Sequence, residues 1–275
     1  MSISIDLIFL IISAAPDAAL YHADLFLNAG YYEEAVTEYK RYLYFNPASE
    51  LTSDAYYKMG RAFRSLDNWD QAISAIRQAI HASSCDSIKQ ERELVLAATY
   101  IADKRYSLGE ILLLKIITYT ENPYLRQKAL MLHGVACLYS YKWDAAQSSF
   151  DAYFQEQPEP VIQAYVDTLL QEARNFFYKS PDDARGLSTL IPGLGQFYVG
   201  DYPNALNAFA LNGGLIAWMM YKLWHGYLGD AYVIYYFLFR RYYYGNRYHA
   251  QRLAQEYNEN LDASQVTKIL QKLIE

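Results

Sequence analysis

A chain of 275 residues is long enough to bury a substantial core and to hold one or two domains. Its 30 acidic and 24 basic side chains leave a formal charge of −6, the wrong sign for a nucleic-acid surface. The 29 tyrosines, apolar in the ring and polar at the tip, suit repeat cores, protein interfaces and membrane–water boundaries, and they concentrate within residues 227–248.

Residues 1–15 admit two readings. The apolar run 7–12 followed by Ser13-Ala14-Ala15 has the look of a signal or targeting segment, yet no Lys or Arg precedes it, Asp6 does, and Pro16 follows. The alternative is an apolar arm packed on the first repeat.

Residues 16–158 carry a period of 37. The small residues Ala35, Ala72, Gly109 and Ala146 recur at that spacing, each three places after an aromatic: Tyr32, Trp69, Tyr106 and Trp143. Twelve residues upstream of each lies another small one, namely Ala23, Gly60, Ala97 and Gly134. Four residues downstream comes a bulky one, Tyr39, Ile76, Leu113 or Phe150, and Pro47 and Pro158 close the first and last units. Antiparallel helices approach to about 8–10 Å only where the crossing residues are small. The pattern therefore predicts four helix pairs with the small residues at their crossings. A single pair cannot bury its apolar face, so the units stack into a solenoid. The cysteines, Cys85 and Cys137, fall in different units, too far apart to be bridged.

The segments Tyr32-Glu33-Glu34-Ala35, Trp69-Asp70-Gln71-Ala72 and Trp143-Asp144-Ala145-Ala146 resemble the tetratricopeptide repeat. The third unit departs from that pattern at Gly109, and 37 exceeds the family's usual length of about 34. The resemblance implies a concave groove built by the first helix of each unit. Carried over position by position, the groove residues are Asp24, Tyr57, Arg61, Arg64, Leu94, Ile101, Met131, Val135 and Leu138, charged at one end and apolar at the other.

Residues 159–180 read as a capping helix, and Ser180-Pro181-Asp182-Asp183 as a turn. The glycines of the turn Pro192-Gly193-x-Gly195-Gln196-x-Tyr198-x-Gly200 fit neither a dinucleotide fingerprint nor a P-loop. Between Asp201 and Lys222 no formal charge occurs, and Asp230 is the one formal charge between Lys222 and Arg240. The turn followed by this apolar hairpin is similar to a bacterial family of two-helix membrane domains, which implies a membrane hairpin over residues 181–246 and amphipathic helices over 247–275. Asn204, Asn207, Asn212 and Gly213-Gly214 interrupt the first run, so two buried helices are the alternative.

The fold class expected is all-α: a tetratricopeptide-like solenoid followed by a hydrophobic helical hairpin. The five histidines form no metal-ligand spacing, and neither cysteine has the basic neighbour of a nucleophile. We therefore expect no catalysis and no cofactor, a protein segment as groove partner, and a membrane association. Basic residues Arg240, Arg241 and Arg247 favour a cytoplasmic placement of the repeats, while a cleaved leader, which the resemblance to the membrane-domain family implies, would place them on the envelope side; the envelope side is the expected placement and the cytoplasmic face the alternative.

Overall fold

The computed structural model describes residues 16–274, helical wherever secondary structure is regular and without a strand among them. The expected leader segment, 1–15, lies outside the described residues. The chain divides into two compact units, the first ending at Ala164 and the second beginning at Tyr165.

The first unit is a succession of helix pairs. They are α1 (Pro16–Ala29) with α2 (Tyr32–Phe45), α3 (Thr52–Ser65) with α4 (Trp69–His81), α5 (Asp86–Ala102) with α6 (Tyr106–Tyr119), and α7 (Pro123–Tyr139) with α8 (Trp143–Glu156). Tyr32, Trp69, Tyr106 and Trp143 each open the second helix of a pair. The small residues lie where the helices cross. Ala23, Ala35, Ala72, Ala97 and Ala146 are fully buried, as are Tyr39, Ile76, Leu113 and Phe150 one turn beyond. A β-carbon on Gly134 would come within 2.5 Å of the Phe150 ring, and one on Gly60 within 2.7 Å of Ile76. Glycine at these two positions is what lets the larger partner reach the crossing.

Each pair turns by the same device. The backbone N–H groups of Tyr31, Asn68, Arg105 and Lys142 donate to the carbonyls of Phe26, Phe63, Tyr100 and Cys137 at 2.9, 2.9, 2.8 and 2.9 Å. This is the long bond of a Schellman helix end. The residues preceding the donors, Gly30, Asp67, Lys104 and Tyr141, take φ of +83°, +56°, +60° and +57°. They too lie 37 apart, and only the first is the glycine that the left-handed region favours.

In the second unit, α9 (Pro160–Arg174) contributes its C-terminal half, followed by α10 (Pro181–Leu190), α11 (Leu194–Val199), α12 (Tyr202–Trp224), α13 (Leu228–Val233), a π-helical turn (Ile234–Phe239) and α14 (Arg240–Ile274). Ser180 caps α10 by accepting from the Asp183 N–H at 3.1 Å, with Pro181 in the first turn, and Asp201 caps α12 through the Asn204 N–H. The long α14 packs on α10 and α11 through Ala184, Ala250 and Ala254. Polar clasps hold it further along: Tyr178 Oη donates to Asp262 at 2.7 Å, Asn258 exchanges two bonds with the Lys179 backbone, and Gln265 Nε2 donates to the Leu169 carbonyl at 2.7 Å.

The expected membrane-spanning hairpin is corrected here. No helix among the described residues is long and apolar enough to cross a membrane. Asn204, Asn207, Asn212, Gly213 and Gly214 dilute the 23-residue α12, and Asp230 sits in the first turn of α13, ten residues before the Arg240-Arg241 pair ends the second run. The hairpin is not a buried core of this unit either. Of α12 only Ala205, Asn212 and Leu215 are buried, while Leu206, Phe209, Trp218, Trp224 and Tyr232 stand exposed.

Candidate functional site

The repeat unit presents a cleft of about 470 Å³ along α3, α5 and α7. Neighbouring first helices touch directly at α1–α3 and α5–α7, so these helices share one face. Tyr57, Ile88, Leu94, Val95, Tyr124 and Leu125 line the cleft with apolar surface, and Asp54, Glu91, Arg92 and Lys128 supply charge of both signs. Such mixed lining suits an amphipathic segment better than a small charged substrate.

Arg92 organises the cleft wall. Its guanidinium donates to the Ala79 carbonyl at 3.1 Å and to Ser83 Oγ, stands 3.8 Å from Asp54, and lies over the Tyr57 ring at 5.6 Å. Burial lowers its pKa, with Asp54 and Tyr57 working against that shift. Beside it Lys58 bridges Asp24 at 2.7 Å and Asp54 at 3.1 Å. Burial alone would lower the Lys58 pKa, but hydrogen bonds to the two carboxylates outweigh it and the net shift is upward. Asp24 also accepts from Tyr39 Oη at 2.6 Å. That carboxylate thus ties α1, α2 and α3 together, so its part in the groove is structural.

Besides Asp24, the expected groove residues separate into four sets. Tyr57 lines the cleft, as does Leu94 with the little surface it retains. Arg61 and Arg64 line a different cavity of about 330 Å³, with Tyr32, Ser65 and Trp69. There burial lowers the Arg64 pKa, and the neighbouring Arg61 charge lowers it further. Met131 and Val135 are half-buried on α7. Leu138 is fully buried, and Ile101, half-buried, packs against the core. Sequence reasoning missed Arg92 and Tyr124, whereas Glu91 and Lys128 lie at positions that the repeat resemblance assigns to the groove. Arg92 lies in the charged run Lys89-Gln90-Glu91-Arg92-Glu93, where nothing in the sequence sets it apart.

The fourth pair holds a buried polar cluster of His133, Cys137 and Ser149. His133 Nδ1 and Ser149 Oγ are 2.7 Å apart, with Cys137 Sγ 3.8 Å from the same nitrogen. Ser149 Oγ donates to the Ala145 carbonyl at 2.9 Å, which leaves the imidazole as donor to serine rather than its base. Burial lowers the His133 pKa and pushes the Cys137 thiol up to about 11. A neutral, buried thiol is a poor nucleophile. No group of three or more His, Cys, Asp or Glu side chains among the described residues is placed to hold a metal ion.

The glycine turn has a packing role. Gly193 (φ +97°) and Gly200 (φ +99°) flank α11 in left-handed conformation. A β-carbon on Gly195 would run into the Ala184 carbonyl, so only glycine lets α11 lie on α10. Gln196 is buried against Ser188 and Asn246, Tyr198 Oη accepts the Ser180 N–H at 3.2 Å, and Pro192 starts the turn half-buried. Compared with known proteins, the sequence matches no family model and no curated relative.

Proposed function

We propose that the chain is a non-catalytic tetratricopeptide-like scaffold that binds an amphipathic segment of a protein partner along α3, α5 and α7. The cleft of about 470 Å³ carries this reading: its lining combines apolar side chains with charges of both signs. Helical-repeat units use such first-helix faces for extended contacts. A photo-crosslinking side chain at Tyr124, in the cleft, tests it against one at Tyr44, which is 80% exposed on a second helix. Partner adducts should form from position 124 and be absent from 44; equal adducts from both, or none from 124, would sink the proposal.

A second reading concerns the C-terminal hairpin. Its uncovered aromatic and aliphatic side chains form the kind of surface that marks a partner or a lipid interface. Tyrosine and tryptophan at the tip, with Arg240, Arg241 and Arg247 at the base, suit a hairpin laid into the headgroup layer rather than across the bilayer. The repeats would then work at a bacterial membrane, on the envelope side, the cytoplasmic face being the alternative. Flotation with phosphatidylcholine–phosphatidylglycerol vesicles decides this. A chain that stays at the bottom of the gradient removes the lipid reading and leaves the scaffold intact.

A further inference from the structure

A chain of amide and hydroxyl groups runs through the second unit with a fixed direction. The Gly195 N–H donates to Ser188 Oγ at 3.0 Å, and Ser188 Oγ donates to Gln196 Oε1 at 3.0 Å. Gln196 Nε2 in turn donates to Asn246 Oδ1. Because the serine hydroxyl donates to the glutamine oxygen, the glutamine amide faces Asn246 with its nitrogen, and Asn246 must present its own nitrogen outward. That nitrogen has no partner, although Asn246 is only 8% exposed. Across the same cleft Asn212, 1% exposed, spends its amide nitrogen on the Ala208 carbonyl at 2.8 Å. Its oxygen is likewise unpartnered. Native folds seldom leave two buried polar atoms unmatched in one cleft.

Both asparagines line a cleft of about 340 Å³ bounded by α11, α12 and α14, within the range of small-molecule sites of about 300–1,000 Å³. The cleft floor therefore offers one donor and one acceptor. Its rim holds Arg241 and His249 and no carboxylate. Arg241 is exposed and makes no ion pair among the described residues. An acceptor-only Asn212 oxygen calls for a hydroxyl or amine, and the guanidinium with no acid nearby disfavours a cationic amine. The ligand that meets all three groups is an anion bearing a hydroxyl.

We propose that this cleft recognises a hydroxyl-bearing phosphoester. The Asn212 oxygen accepts from the hydroxyl, and the Asn246 amide and Arg241 donate to the phosphoester oxygens. The chemistry is shared by a free glycerol phosphate and by a phosphatidylglycerol headgroup. The headgroup as source rests on the lipid reading of the adjoining hairpin; the cleft itself does not.

Two arms of one experiment separate these. In the first, the full-length protein is titrated calorimetrically with glycerol 3-phosphate and, for comparison, inorganic phosphate. In the second, it is floated with vesicles of phosphatidylcholine, alone or mixed at equal charge with phosphatidylglycerol or with phosphatidylmethanol, whose headgroup has the phosphodiester but no hydroxyl. Phosphatidylglycerol should bind about fivefold more tightly than phosphatidylmethanol, the effect of one net hydrogen bond. Asn212→Leu should abolish that preference and retain the charge-dependent binding; Arg241→Gln, on the exposed rim, should weaken binding to both anionic vesicles. Circular dichroism confirms that each variant is folded, and Arg241→Gln stands as the surface change if Asn212→Leu is not. Binding of free glycerol phosphate without flotation would keep the cleft and overturn the lipid source. Flotation with equal affinity for both anionic lipids, unmoved by either substitution, would keep the lipid reading and overturn the cleft. Neither binding nor flotation overturns both.

Discussion

The two units use the same aromatic residues to opposite ends. In the repeats, Tyr39, Tyr42 and Phe150 are sealed at helix crossings, with glycine or alanine opposite to make room. In the C-terminal hairpin, Trp224 is 88% exposed and Leu206, Phe209 and Tyr232 face outward without a covering element in their unit. The first arrangement spends apolar surface on stability within the chain. The second leaves it free for something else, because burial, not residue type, is what converts an aromatic into folding free energy.

Substitutions at matched aromatics break the comparison if it is wrong. Phe150→Ala should destabilise the first unit by about 3–5 kcal/mol, read from denaturant unfolding. Gly195→Ala comes next, at roughly 1–3 kcal/mol, because the new methyl meets the Ala184 backbone carbonyl, which cannot rotate away. Lys104→Gly should stabilise by about 1 kcal/mol by relieving a left-handed φ of +60°. Gly213 has no neighbour within 4 Å of a would-be β-carbon, so Gly213→Ala should stabilise α12 by about 0.5–1 kcal/mol. Trp224→Ser should move the melting temperature least, within about 0.5 kcal/mol, while reducing vesicle flotation. A large loss of stability from Trp224→Ser would show that the hairpin face is covered after all.

Acid sharpens the contrast from another side. His133 is held below its ordinary pKa of about 6.5 by burial, so the folded state binds its proton less readily than the unfolded chain does. Stability should therefore be full above that pH and decline as pH falls through and below it. Glu110 adds a second decline at lower pH. Burial would raise its pKa, but hydrogen bonds from Lys142 at 2.6 Å and Ser140 at 2.7 Å hold it below 4.5. His133→Gln should remove the upper step and leave the lower one, as followed by chemical unfolding between about pH 2 and 8, the span where histidine and then the depressed carboxylate titrate.

The repeat architecture was legible because crossings constrain side-chain size at fixed spacing, and Ala35, Ala72 and Ala146 announce themselves. The site was less so. Arg92 is recognisable only through Ala79, Ser83 and Asp54, which the period does not align with it. Leu138 carries an apolar side chain that suits groove and core alike, and only the packing decides. The absence of charge after Asp201 suggested a membrane span, but charge is one part of hydropathy and three asparagines offset it. The turns at Asp67, Lys104 and Tyr141 were hidden because none is the glycine such a conformation favours.

Those turns also govern precision. A residue with a β-carbon has only a small allowed region at positive φ, whereas glycine roams a much wider one. Asp67, Lys104 and Tyr141 therefore act as stiff elbows, and Gly30 as a looser one. Within the first unit the second helix of every pair is aimed by the elbow before it, so an angular error at Asp67 swings α4 to α8 as a lever, with displacement growing toward the far end. The three strained turns trade a little stability for a narrow tolerance. Relaxing one to glycine would raise the melting temperature and at the same time blur the spacing of α3, α5 and α7, whose alignment makes the cleft.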